Sequence, residues 1–389
     1  MYTSPDPMDQ WFDPSLAEEG MLEFTTLPIP ESSLVKVYPL GLMGSHTFPT
    51  DHIYLEYAHT KDPQTGLGED VPVYAPAAGR ILYIEYAGPP YNDNSVHISI
   101  SRDITYVLGH LIMDPGLAVG HVVEAGDSLG ICVNGSNLDL LVLDKRNGKN
   151  SCDNDKYPFT TSYACNPFSY FPSDLREMLY SRIIPHVPAK DLGDLTMDHP
   201  SEHDSSLDGE HVLTYLASME TEIDIYDRLP DGRSEAFASH YKGLDEAFKA
   251  VDGNFEHDIP ARLQGNWFSS GDDGLWHEGI AFAYDAWFTA QARVSYAEAF
   301  GPGTLFNGRY AIRLDQPGYV PFDEVNAGDT TTYTLYSSDK INWHGVPYEQ
   351  PTGLLKVEMM GDTTIKVEVF TDTTVLNPDF TPSARIYYR

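Results

Sequence analysis

Two stretches decide the fold of this chain: Val71-Pro-Val-Tyr-Ala-Pro-Ala-Ala-Gly-Arg-Ile-Leu-Tyr-Ile84 and Val119-Gly-His-Val-Val-Glu-Ala-Gly-Asp-Ser-Leu-Gly-Ile131. Both combine β-branched and aromatic residues, which favour strands, with proline and glycine, which favour turns. An Ala-Pro-Ala-Ala-Gly segment followed later by Glu-Ala-Gly-Asp-Ser-Leu-Gly is typical of a barrel-sandwich hybrid. The sequence therefore predicts a mainly β domain around these residues.

Biotinyl and lipoyl carrier domains show the same pair of segments. A carrier needs an exposed lysine in a tight hairpin, to which the cofactor is attached. Residues 80–118, which connect the two segments, contain no lysine. We therefore retain the barrel and exclude the carrier function.

Turn residues and composition divide the chain into four parts. We expect an N-terminal arm over residues 1–21, a first domain over 22–184, a linker over 185–210 and a β-rich domain over 211–389. The linker prediction rests on closely spaced Pro and Gly among many acidic residues. Short strands separated by turns predict a second barrel or sandwich, with some helix near its start.

The net charge restricts the partners of the protein. The 389 residues contain 24 Lys plus Arg against 58 Asp plus Glu, for a formal charge of −34. Nucleic acid and anionic membranes both attract cationic patches, so neither is an expected partner. No apolar run is long enough to span a membrane, and the acidic start does not resemble a signal peptide. We expect either a secreted or periplasmic mature form or a cytoplasmic protein.

Of the three cysteines, Cys132 lies in a strand-like segment, whereas Cys152 and Cys165 flank a short polar loop. The latter two would form a disulfide in an oxidising compartment. Two free thiols remain the alternative, because the sequence pattern is the same in both cases.

The chemistry concentrates ahead of the first barrel segment, in Gly44-Ser-His46-Thr-Phe-Pro-Thr-Asp51-His52-Ile-Tyr-Leu. Histidine and carboxylate are ligands that catalytic zinc sites use, with water completing the coordination. Together with Gly109-His110-Leu and the two barrel segments, this order resembles the lysostaphin-type zinc metallopeptidases, which cut peptide cross-links in bacterial cell walls. The resemblance covers roughly residues 30–150.

The family takes its zinc ligands from an H-x₃-D motif and from the second histidine of an H-x-H motif. This chain departs from both patterns, because Phe48 falls at the first histidine and His52 at the aspartate. Asn137 and Asp139 take the two late histidine positions. The resemblance therefore implies Zn²⁺ bound by His46, His52 and Asp139.

The resemblance also implies roles for other side chains. His110 would be the catalytic histidine, which stabilises the oxyanion or transfers a proton. Asp51 and Asn137 would lie in the second shell, where Asp51 could orient a ligand imidazole. The function implied is a divergent zinc endopeptidase acting on peptidoglycan or another extracellular peptide. The alternative is a non-catalytic binding or structural protein that keeps the barrel with a decayed metal site.

Overall fold

A computed structural model gives the fold over fifteen segments of the chain. The structure describes residues 11–18, 22–43, 47–57, 70–87, 93–133, 137–150, 156–157, 159–183, 253–269, 279–284, 292–296, 308–312, 316–337, 351–375 and 377–389. The predicted linker and the possible helices after it lie outside these residues. His46, His59 and Cys152 also lie outside them.

The first half of the chain forms one ten-stranded sheet. Its main strand order is β1-β2-β9-β6-β5-β4-β7, with β8 paired to both β3 and β6 and with β10 paired to β9. The strands are β1 Leu34–Tyr38, β2 Ile53–Tyr57, β3 Pro72–Tyr74, β4 Gly79–Ala87, β5 Asp93–Ser101, β6 Ile104–Met113, β7 Val122–Val123, β8 Ser128–Cys132, β9 Leu138–Asp144 and β10 Ala164–Cys165. The order places β2, β9 and β6 side by side at the centre.

The two stretches that predict the fold meet in this sheet. Pro72 and Val73 of β3 pair with Ile131 and Gly130 of β8. Gly130 has a φ of 147°, and a Cβ atom there would lie 2.1 Å from the Ile112 carbonyl oxygen. Only glycine allows β8 and β6 to approach this closely. The Ser-Leu-Gly sequence is thus required by the packing of the sheet.

Helices and turns close this first unit. Helix α1 spans Phe159–Tyr163 and α2 spans Ser173–Ser181, and 3-10 turns occur at Glu31–Ser33, Lys145–Asn147 and Pro167–Tyr170. Pro172 occupies the N-cap of α2. Phe12, in the segment assigned to an N-terminal arm, is 1% exposed and belongs to the core of this unit.

The cysteines do not form the predicted bridge. Cys132 is a buried free thiol, and Cys165 is also a free thiol. The Cys165 sulfur instead contacts the carbonyl oxygen of Tyr163 at 3.4 Å. The expected disulfide between Cys152 and Cys165 is therefore absent at Cys165.

The second half forms a closed barrel in which eight antiparallel strands follow one another in sequence order. This decides between the predicted alternatives of barrel and sandwich. The strands are β11 Gly265–Ser269, β12 Gly279–Tyr284, β13 Ala292–Tyr296, β14 Gly308–Ile312, β15 Thr330–Ser337, β16 Gly353–Gly361, β17 Thr364–Phe370 and β18 Arg385–Tyr388. The mainly β fold class is confirmed in both halves.

Trp267 anchors one end of the barrel interior. Its side chain is fully buried, and its indole Nε1 donates to the Leu263 carbonyl oxygen at 2.8 Å. The Arg389 guanidinium stacks over the ring at 4.1 Å and donates to the Gln264 carbonyl oxygen at 2.7 Å. The last residue of the chain thereby ties β18 to the start of β11.

The outer face of the barrel joins the core of the first unit. Phe268, Ala281 and Ala283 alternate with inward-facing residues on β11 and β12, and they belong to the same buried cluster as the sheet. Leu40 also forms a parallel bridge with Gly253, just before the barrel. No helix within the described segments has the length and apolar character to cross a membrane.

Candidate metal site

The central strands of the sheet bring three of the predicted site residues together. His52 directly precedes β2, Asp139 lies near the start of β9, and His110 lies in β6. Asp139 pairs with Tyr54 of β2 on one side and with Gly109 of β6 on the other. Residues far apart in sequence therefore meet because their strands are neighbours.

A β-bulge orients His110 toward this point. Asn94 of β5 pairs with Leu111 and Val96 pairs with Leu108, so that two residues of β6 lie opposite one residue of β5. His110 is the second of those two residues and has a φ of 63°, which is uncommon for a residue with a side chain. Bulges redirect side chains in this way and are frequent beside active sites.

Asp139 lies between the two imidazoles. Its Oδ2 is 3.6 Å from His52 Nε2 and 3.4 Å from His110 Nε2. Its Oδ1 is buried and has no hydrogen-bond partner among the described residues. Buried carboxylate oxygens are normally satisfied, so an unsatisfied one calls for an explanation.

A second carboxylate, that of Asp51, contacts His52 at Nδ1, on the side of the ring away from Asp139. Asp51 Oδ1 lies 2.9 Å from His52 Nδ1, and the Thr161 hydroxyl of α1 donates to Asp51 Oδ2 at 2.8 Å. Both Asp51 and Thr161 are buried. Asp51 therefore contacts the imidazole of His52, and Thr161 links this pair to helix α1.

A third carboxylate holds His110 in the same manner. Asp93 Oδ2, at the start of β5, lies 2.8 Å from His110 Nδ1. Each imidazole thus has its Nδ1 on its own carboxylate and its Nε2 near Asp139. Metal-binding histidines are held by second carboxylates in this way, which fixes the tautomer and the ring orientation.

Burial and neighbouring charges shift the pKa values of Asp139, His52 and Asp51. Burial raises the pKa of Asp139 above its ordinary value, and the two nearby imidazoles only partly oppose this. Burial disfavours the charge on His52 and on Asp51. The pKa of His52 is nevertheless raised by the Asp139 charge and by its bond to Asp51. The pKa of Asp51 is lowered by His52 and Thr161. A cation beside Asp139 would compensate its buried charge.

The distances from Asp139 Oδ2 to the two histidine Nε2 atoms are close to those between ligand atoms of a zinc ion. Ligand atoms at the corners of a zinc tetrahedron are about 3.3–3.5 Å apart, given bonds of about 2.0–2.1 Å. The contacts of Asp139 Oδ2 at 3.4 and 3.6 Å are close to this separation. However, the described residues contain no group of three or more His, Cys, Asp or Glu side chains arranged to hold a metal. Of the three predicted ligands, the structure describes His52 and Asp139.

The remaining predicted residue, Asn137, lies directly before β9 and is half-buried. No contact joins it to the histidines in the part of the chain described. Two further histidines described in this unit lie away from Asp139: His97 is buried beside Trp11, with ring centroids 4.6 Å apart, and His121 is exposed.

Sequence reasoning missed Asp93 and Thr161. Asp93 reaches His110 only through the register at the bulge, and Thr161 reaches Asp51 only through the packing of α1. Neither relation produces a local motif, so no sequence signal could have identified these two residues.

Solved structures similar to this chain include peptidases of the lysostaphin type. They include Csd3 of Helicobacter pylori, with 17% identity over 41% of this chain and 39% of that chain and a TM-score of 0.26. A zinc-containing peptidase from Vibrio cholerae matches with 16% identity over 32% and 37%, and a TM-score of 0.25. Lysostaphin matches with 15% identity over 33% and 48%, and a TM-score of 0.24.

Each of these three proteins is matched over less than half of its own length. At such TM-scores the similarity supports no conclusion about the chemistry of this chain. No protein-family model and no curated protein matches the sequence.

Proposed function

We propose that this protein is a divergent zinc-dependent endopeptidase. One observation carries the proposal: His52, directly before β2, and His110, in β6, approach Asp139 through Nε2, while each Nδ1 contacts its own carboxylate. A structural ion pair needs only one histidine and one carboxylate. Two oriented imidazoles around a partly buried carboxylate are typical of a metal or catalytic centre.

His46, His52 and Asp139 would hold the metal, which leaves a coordination position for water. Bound zinc supplies an activated water near neutral pH and polarises the carbonyl of the peptide. Asp51, itself held by Thr161, keeps a hydrogen on His52 Nδ1 and so presents the Nε2 lone pair. Asp139, which is partly buried, contributes the negative charge.

His110 would serve as the catalytic histidine. Asp93 accepts a hydrogen bond from its Nδ1, which leaves Nε2 to take up a proton and return it to the leaving amine, or to donate to the oxyanion. His110 is the most exposed of the residues around Asp139, with 38% of its side chain accessible. This exposure suits a group that must contact substrate.

The substrate would be peptidoglycan or another extracellular peptide, with the protein acting outside the cytoplasm. The charge of −34 is compatible with this setting, because an acidic surface keeps a protein soluble.

Metal analysis and a cleavage assay test the proposal together. Purified protein should contain one equivalent of zinc and should release peptides from isolated peptidoglycan. A chelator should stop the cleavage, and added zinc should restore it. Protein that takes up no zinc and cleaves neither cell-wall peptides nor unrelated peptides would instead be a binding or structural protein.

A further inference from the structure

The residue at the position of the first family histidine, Phe48, contacts the second barrel. Phe48 is 4% exposed, and its ring centroid lies 5.0 Å from that of Phe268 on β11. It precedes Asp51 and His52 in the same short segment. The segment over residues 48–52 therefore contacts the barrel through Phe48 and supplies Asp51 and His52 to the candidate site.

Gly279 at the start of β12 receives the tip of the Phe48 ring. A Cβ atom at Gly279 would lie 2.1 Å from Phe48 Cζ and 2.6 Å from Cε1. Any side chain at Gly279 would therefore displace the Phe48 ring. The small outward-facing Ala281 and Ala283 extend the same close approach along β12.

Further contacts hold the segment around Phe48 in place, and they join it to the residues just before the barrel. The Gly41 amide donates to the Thr50 carbonyl oxygen at 2.8 Å, and the Thr50 amide donates to Leu42 at 3.2 Å. A Cβ atom at Gly41 would lie 1.9 Å from the Asn254 carbonyl oxygen. The segment is thus pinned at Gly41 and again at Phe48.

A buried polar group holds the two units together beside this contact. Tyr157 packs edge to face on Phe268, with centroids 5.2 Å apart. Its hydroxyl donates to Asp258 Oδ2 at 2.7 Å and accepts from Asn266 Nδ2 at 2.8 Å. Because buried hydrogen-bonded networks have one low-energy geometry, this network fixes the barrel relative to the sheet.

We propose that the barrel is the structural support of the site, and that Phe48 and Gly279 are positioning residues that place Asp51 and His52. The proposal rests on the proposed function for its catalytic consequence, but not for its geometry. The barrel then acts as part of the framework of the site and not as a separate substrate-binding module.

The test is Gly279→Ala in the full chain, paired with a compensating Phe48→Leu. Gly279→Ala should displace Phe48, shift the imidazole NMR signals of His52 and weaken zinc binding about 10–100-fold, as for the loss of a positioning contact. The double variant should restore the His52 signals and most of the zinc affinity. Gly361→Ala is the matched control, since no atom lies within 4 Å of the added methyl.

The outcomes separate this inference from the proposed function. If Gly279→Ala lowers the melting temperature but leaves the His52 signals unchanged, the contact is only structural and the inference is wrong. If wild-type protein binds no zinc, the proposed function fails, and the His52 signals alone still decide the positioning role. If Gly279→Ala does not fold, the His52 imidazole signals of Phe48→Leu alone are compared with those of the wild type. Unchanged signals in Phe48→Leu would then overturn the inference.

Discussion

Asp139 Oδ2 lies 3.4 Å from His110 Nε2, although the strand partner of Asp139 is Gly109 and not His110. The bulge in β6 makes this contact possible by turning His110 toward β9. Gly109 leaves the space for it, because a Cβ atom there would lie 3.3 Å from Asp139 Cβ. The chemistry of the site therefore depends on an irregularity in the sheet.

Asp139→Asn should abolish zinc binding and peptide cleavage, because it removes the negative charge while keeping the size of the side chain. His52→Ala and His46→Ala should have the same effect if they share the ion. Zinc content by mass spectrometry and cleavage of isolated peptidoglycan are the measurements. One equivalent of zinc retained in Asp139→Asn or Asp139→Ala would remove this residue from the coordination shell.

His110→Ala should retain zinc but lose about 10²–10⁴-fold in kcat, the usual contribution of a general acid or base. The protein should fold normally, since this side chain is partly exposed. His121→Ala provides the control, because it removes an exposed histidine from the same unit without touching the site. Loss of zinc in His110→Ala would make His110 a ligand instead.

Thr161→Val should weaken zinc binding about 10–100-fold, because Asp51 loses the hydroxyl that orients it against His52. The stability loss should be about 1–3 kcal/mol, the cost of leaving a buried acceptor unsatisfied. Thr26→Val is a suitable control, since it removes a hydroxyl that donates to the Ala75 carbonyl oxygen. If both variants bind zinc equally well, Thr161 has no role in the site.

His257 should make the protein less stable as the pH falls from about 6.5 to 4. Burial lowers the pKa of His257 to about 4, below the ordinary value, so the unfolded state takes up the proton first. Between these values the unfolded state binds more protons, and stability therefore decreases with decreasing pH, by at most about 3 kcal/mol.

Urea unfolding of wild type and His257→Leu at pH 7 and pH 4.5 measures this effect. The variant should lose less stability between the two pH values, and the difference between the proteins isolates His257 from other titrating groups. Equal losses in both would show that His257 is protonated in the folded state.

The sequence predicted the strands better than the contacts between them. Alternating apolar residues and glycines near Gly79 and Gly130 predict the sheet, because both are local requirements of strand pairing. The positions of His52, His110 and Asp139 could be aligned with a family pattern because each lies next to a recognisable strand. Their roles remain predictions.

Other features depend on tertiary contacts between residues far apart in the sequence, which leave no local motif. The carboxylate behind His110 comes from the register of a bulge, and the hydroxyl behind Asp51 comes from a helix packed across the sheet. Phe48 looks like a lost ligand in the sequence, whereas in the structure it contacts the barrel. The thiol of Cys165 stays free although its spacing from Cys152 suited a disulfide.

The edge strands of the two units also affect self-association. The barrel of the second unit is closed, so β11 and β18 pair with each other and neither is a free edge strand to which another chain could add. In the sheet, β7 is only two residues long, and the Val37 amide of β1 already donates to the Arg182 carbonyl oxygen at 3.0 Å. Intermolecular strand addition needs a long border of unpaired amides and carbonyls. Among the strands described here, the edge strands are short or partly paired. This should reduce aggregation through strand addition at high protein concentration.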